Sequence, residues 1–237
     1  MSRQSVQEST VRSTGIWSIC FLATVCLFLV SSCGGGGGSS SSAPSPTTGT
    51  LFTTSDSDSV TLARVSGTTI TVHSVDLFEQ EVFSGTATLS GNTFSMSISL
   101  YPPGGATVGS ATGSIDPSGN SITATGVGGT ITLTKTTSSL AGGYLGTYSK
   151  TPTPTPPEPS GGTFVAGIDG SGNVRGFAGN DAEGWSTFVT TLSGSSFTAT
   201  TTNGTSFTGS ISGAASGTWT KPNPNARNGT FTGPKVF

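Results

Sequence analysis

Charge is what this sequence has least of. Only 8% of its 237 residues are Asp, Glu, Lys or Arg, against about 25% in ordinary soluble domains. The formal charge of −2 provides no basic field, so no nucleic-acid partner is expected. Histidine occurs once, at His73, and cysteine three times, at Cys20, Cys26 and Cys33. So few soft ligands cannot furnish a typical zinc site. No metal and no cofactor is expected. A Ser-His-Asp triad would have to use His73, with Asp76 nearby. In "TTITVH" the alternation gives Ile70 and Val72 the buried face, which leaves His73 and Thr71 facing solvent. No catalytic residue is expected, and the chain reads as a non-enzyme.

The carboxylates support no reaction either. The pairs Glu79/Glu81 and Asp181/Glu183 could in principle do glycosidase work, but nothing in the sequence sets their two pKa values apart. Asp56 and Asp58 read as solvated loop residues. "DGSGN", Asp169 to Asn173, lacks the glycine and glutamate of a calcium loop, with Val174 and Asn180 in those places. It reads as a hairpin turn, as does "NG" at Asn203 and Asn228.

What is abundant is glycine, with 36 residues, together with Ser and Thr. The first 33 residues read as an export signal. Arg3 and Arg12 precede a mostly apolar, uncharged run, Ile16 to Val30, and "LVSSC" follows, Leu29 to Cys33. That ending resembles the bacterial lipobox. A single membrane span is the competing reading of 13–32; small residues abutting a cysteine favour a cleaved signal. Cys20 and Cys26 would leave with it, so Cys33 would be the sole cysteine and no internal disulfide is possible. The resemblance implies a diacylglycerol on the Cys33 sulfur and a further acyl chain, such as palmitate, on its amine. Several buried chains at ~0.8 kcal/mol per methylene anchor a protein firmly in a membrane. Gly34 after the cysteine, rather than Asp, implies release to the outer membrane, with a periplasmic or surface-exposed body. The Gly/Ser/Pro-rich stretch that follows is a flexible tether.

The remainder reads as all-β. In "NTFSMSISLY", Phe94, Met96, Ile98 and Leu100 alternate with serines, the period of a half-buried strand. The same alternation recurs in "TITLT" and "SFTGSIS", and turn signals separate the runs every 8–12 residues or so. That rhythm predicts an antiparallel meander closing as a small up-and-down β-barrel of about eight strands, preceded by a second, related β-meander domain.

Repeats support duplication. "SGNSITAT" (Ser118 to Thr125) matches "SGSSFTAT" (Ser193 to Thr200), and "GTYSK" (Gly146 to Lys150) matches "GTWTK" (Gly217 to Lys221). Each of the latter runs into a proline-bearing stretch and then Gly-Thr-Phe. The expected organisation is a signal peptide over 1–32, a tether over 33–49, an N-terminal β-meander domain over 50–142 and a C-terminal β-barrel domain over 143–237. The competing boundary makes the proline tract Thr151 to Ser160 an interdomain linker instead of a hairpin loop. Tyr148, Trp185 and Trp219 either plug a small barrel or line a ligand pocket.

"GTWTKPNPNARNGTFTG", Gly217 to Gly233, resembles the last hairpin of the transferrin-binding protein B-like outer-membrane surface lipoproteins. Trp219, Pro222, Asn223, Gly229, Thr230, Phe231 and Gly233 sit at matching places, and "SFTGSISG", Ser206 to Gly213, is similar to their penultimate strands. The loop departs from the family, with Asn225, Ala226 and Arg227 where it is acidic and Asn228 where it has a glycine. The resemblance covers at most 143–237. It implies an eight-stranded barrel on a lipid-anchored outer-membrane protein, in a family that includes binders of host iron-carrier proteins. The expected function, apart from the resemblance, is binding of a protein partner or small ligand through barrel-end loops, as a monomer. A structural envelope lipoprotein without a specific ligand is the alternative, and an exported hydrolase a remote one.

Overall fold

The computed structural model describes residues 49–101, 105–126, 128–152, 158–222 and 226–237. The signal segment, Cys33 and nearly all of the tether lie outside the described residues. Within them the chain is all-β, with no helix.

Eight strands come first: β1 (Thr50–Ser55), β2 (Ser59–Ser66), β3 (Thr69–Asp76), β4 (Glu81–Thr88), β5 (Thr93–Leu100), β6 (Thr107–Ile115), β7 (Ser121–Gly126) and β8 (Gly129–Thr136). Each pairs antiparallel with the next, and β1 pairs with β8 to close a barrel. The alternation of the sequence sets its interior. Phe52, Ile70, Phe94, Met96, Ile122 and Leu133 point inward into one cluster, while Ser95 and Ser97 are exposed.

The second set is β9 (Gly142–Thr151), β10 (Gly161–Ile168), β11 (Asn173–Asn180), β12 (Gly184–Thr191), β13 (Ser196–Thr200), β14 (Ser206–Ile211), β15 (Ala214–Lys221) and β16 (Arg227–Pro234). Here β9 pairs with both β10 and β16, giving the order β12-β11-β10-β9-β16-β15-β14-β13. The sheet curls until its edges meet, where Thr190 Oγ1 donates to the Thr198 carbonyl at 2.7 Å. The two barrels close differently: the first by a backbone ladder, the second by a side chain reaching across the seam.

Aromatic rings fill the second barrel. Phe164 stacks on Phe231 with centroids 4.5 Å apart, and Phe188 on Phe207 at 5.3 Å. Stacked and tilted ring pairs at such separations add to the burial of their area. Glycine makes room for them. A methyl group at Gly176 would collide with the ring of Phe188, and one at Gly229 with the Ser149 carbonyl and the Trp219 indole. Part of the glycine excess is therefore the complement of large rings in a narrow barrel.

The two barrels pack side by side. Outward-facing Leu51, Val60 and Leu62 of the first barrel bury against Ala141 and Phe237. Val75, Leu77 and Val82 do so against Val165 and Phe177. Polar bonds pin the seam. Ser55 Oγ donates to Asp169 Oδ2 at 2.6 Å, Gly170 N to Thr53 Oγ1 at 2.8 Å, and Arg175 Nε to the Asp56 carbonyl at 2.9 Å. Asp169 also accepts from Ser171 N and Asn173 N, so this turn shapes itself as well as the junction. Burial acts to raise its pKa, but these bonds outweigh it and hold the carboxyl below its ordinary range.

Two expectations need correction. His73 is not solvent-facing: it is only 2% exposed. It does point away from the barrel interior, as alternation requires, but that outer face is covered by the second barrel. And Asn228 is not a turn residue: it lies in β16, paired with Thr220 and Thr151. Asn203 does sit in a turn, with its Oδ1 accepting from Thr201 Oγ1 and Thr205 N.

The repeated units also resolve in space. "GTYSK" lies on β9 and "GTWTK" on β15, each opening a hairpin whose second strand carries Gly-Thr-Phe. Both hairpins belong to the second barrel, and they are neighbours through the β9–β16 pairing. The other match is out of phase with the barrels, because it places β7 of the first on β13 of the second.

Candidate functional site

Strands β9 and β15 end, and β10 and β16 begin, at the same end of the second barrel, away from the Asp169 turn. A cleft of about 390 Å³ opens there. Equivalent residues of the two units line it: Tyr148 and Trp219, then Lys150 and Lys221, with Phe207 from β14. The repeat thus delivers two aromatics and two lysines to one mouth.

Trp219 forms an inner wall. It is 5% exposed, its Nε1 donates to the Ser149 carbonyl at 3.1 Å, and its ring meets that of Tyr148 edge-on at 5.6 Å. Thr218, Thr220, Thr230 and Thr232 face outward, opposite Trp219 and Phe231. Tyr148 is half-buried, and its hydroxyl accepts from Asn180 Nδ2 at 2.9 Å. Burial pushes the phenol upward. Trp185 stands apart from these two, packed edge-on against Phe177 near the junction with the first barrel.

Lys150 organises the charged wall. Its Nζ donates to Glu183 Oε1 at 2.6 Å and to Glu158 Oε1 at 3.0 Å. Burial alone would lower its pKa, but the bonds to Glu183 and Glu158 prevail and raise it. Arg227 then clamps Glu158 with Nε at 3.0 Å and Nη2 at 3.1 Å, a paired geometry that suits guanidinium and carboxylate. Arg227 beside it, then Lys150, hold the Glu158 carboxyl down to about 2. Glu158 lies in the β9–β10 connection and Arg227 opens β16, so this pair ties the twin hairpins together. Asn180 completes the wall by donating to Glu183 Oε2 at 3.1 Å.

Of the carboxylate pair Asp181/Glu183, the structure brings only Glu183 into the cleft. Its pKa is lowered: burial would raise it, and the Lys150 and Asn180 bonds outweigh burial. A general acid needs the opposite shift. Glu79 and Glu81 lie at the mouth of the first barrel and do not line this cleft. Among the described residues, no three His, Cys, Asp or Glu side chains converge to hold a metal ion.

Lys150, Glu158, Asn180 and Arg227 do not stand out in the sequence as site residues. The signal was in the repeat itself, since a lysine closes both "GTYSK" and "GTWTK". Neither a protein-family model nor a curated protein matches the chain.

Proposed function

We propose that this chain is a non-enzymatic lipoprotein, held at the outer membrane by acyl chains on Cys33, that binds a protein partner or small ligand at the mouth of its second barrel. The observation that carries the reading is the cleft between the twin hairpins. Its wall of Lys150, Glu158, Glu183 and Arg227 is pre-formed by mutual bonds, and Tyr148 and Trp219 supply apolar surface. Concave, largely pre-formed sites with a few convergent polar groups are where ligands bind. The lipobox-like "LVSSC" supports the anchor, and the tether places the body a little above the membrane surface.

The test is affinity capture from envelope extracts and host fluids. The full chain is compared with a variant carrying Tyr148→Ala and Lys221→Glu at the rim. A ligand of the cleft is recovered with the native chain and lost with the variant. Equal recovery, or none, favours a structural envelope lipoprotein without a specific ligand.

A further inference from the structure

The first barrel holds a second cavity of different chemistry. It measures about 80 Å³ and is lined mostly by apolar groups, among them Val72, Phe83, Met96, Ile98, Ile122 and Leu133. Leu89 and Ile115 pack against the core cluster from near the opposite end. The chamber opens at the end where β3 passes into β4, and the residues there are acidic. Asp76 and Glu79 line it, and Glu81 stands opposite Asp76 in the β3–β4 register, on the same face.

Asp76 is unusual among them. It is only 6% exposed. Its Oδ1 accepts from Phe78 N at 2.8 Å and Glu79 N at 3.0 Å, while Oδ2 accepts no hydrogen bond among the described residues. Burial first, then Glu79 and Asp56, raise its pKa, despite the two backbone bonds. Glu81 is raised by burial, then by Glu79 and Asp76. No Lys, Arg or His among the described residues lines the chamber. Arg64 and His73 face the second barrel, and Lys135 is exposed on β8. A buried carboxylate is ordinarily paired with a cation; Asp76 has two backbone donors but only acidic neighbours, Glu79 and Asp56, and the apolar cavity beside it.

We infer that the first barrel is a separate binding site for a small alkylammonium compound, its alkyl end in the chamber and its ammonium at Asp76 and Glu79. Charge complementarity selects the cation, and the apolar lining selects an organic one over a hydrated metal ion. The chamber is roughly half of the ~150 Å³ that accommodates benzene, which limits the guest to about four carbons.

The experiment is calorimetric titration of the full chain with isobutylammonium, isobutanol and isobutyrate at neutral pH and low salt. The ammonium should bind more tightly than the alcohol by at least about tenfold, the value of one charge-assisted hydrogen bond, and the carboxylate should not bind. Asp76→Asn with Glu79→Gln should erase that preference. Ala124→Leu should fill the chamber and abolish binding, with Ala111→Val as the milder filling variant if the first does not fold. Equal binding of amine and alcohol, no saturable binding of the amine, or amine binding that survives the filled chamber would each overturn the inference. None of these outcomes touches the cleft of the second barrel.

Discussion

Lys150 on β9 and Glu183 in the turn before β12 meet Nζ to Oε1 at 2.6 Å. In a chain so poor in charge, the convergence of two cations and two carboxylates at one barrel mouth is a built feature. Replacing Lys150 by Met should leave Glu158 and Glu183 facing each other with one cation lost. Fully buried pairs cost ~3–5 kcal/mol when one partner goes; because these carboxylates are partly solvated, about 1–3 kcal/mol is expected. Denaturant unfolding measures this. The loss should grow as pH rises above the carboxylate range, and an unchanged midpoint would show that Lys150 is incidental.

His73 gives the chain a sensitivity to acid. Its ring stacks on Phe237 with centroids 5.3 Å apart and meets Tyr101 edge-on, and Nε2 has no partner. Burial drives its pKa down to about 4 from 6.5. The unfolded chain therefore takes up the proton first. The stability held by neutral His73 is complete above about pH 6.5, falls as pH drops toward 4, and levels below that. The full loss is of order 3 kcal/mol. His73→Phe should remove this component and match or exceed the native stability at pH 5, since an unpaired buried nitrogen is replaced by carbon. A native-like acid profile in that variant would contradict the assignment.

Trp219 should behave as core and Trp185 as partly wetted. In Trp185→Phe the remaining emission of the mature protein should be blue-shifted and resist aqueous quenchers. Trp219→Ala should cost ~3–5 kcal/mol, the usual range for a large core ring, a large part of an ordinary domain's ~5–15 kcal/mol. A readily quenched Trp219 whose alanine variant melts normally would make it a surface aromatic.

Cys33→Ser should abolish acylation and leave the precursor unprocessed or soluble. Incorporation of radiolabelled palmitate is the measurement, and label entering the variant would exclude the lipobox reading.

Strand alternation made much of the fold legible. The inward set Phe94, Met96 and Ile98 and the outward threonines around Trp219 follow from a period of two alone. Alternation distinguishes two faces but does not say what covers the second. His73, Val75 and Leu62 all point away from the first barrel's interior and are buried because another barrel lies on them, a contact between residues distant in sequence. The charged wall was hidden for a related reason: Lys150, Glu158, Glu183 and Arg227 are scattered along the chain, and only the β9–β16 pairing and the curl of the sheet assemble them. The repeat was visible, but its meaning was not, because adjacency of the two units depends on that same pairing.

The central claim is that a ligand occupies the cleft between the twin hairpins, and site-specific photocrosslinking tests it most directly. A photoreactive residue replaces Lys221 at the cleft, or Thr132 on the outer face of the first barrel as control, and the full chain is irradiated in envelope extract and host fluid. A discrete adduct is expected from position 221, absent from position 132 and suppressed by Tyr148→Ala. Adducts of equal yield from both positions, or none from 221, would contradict it.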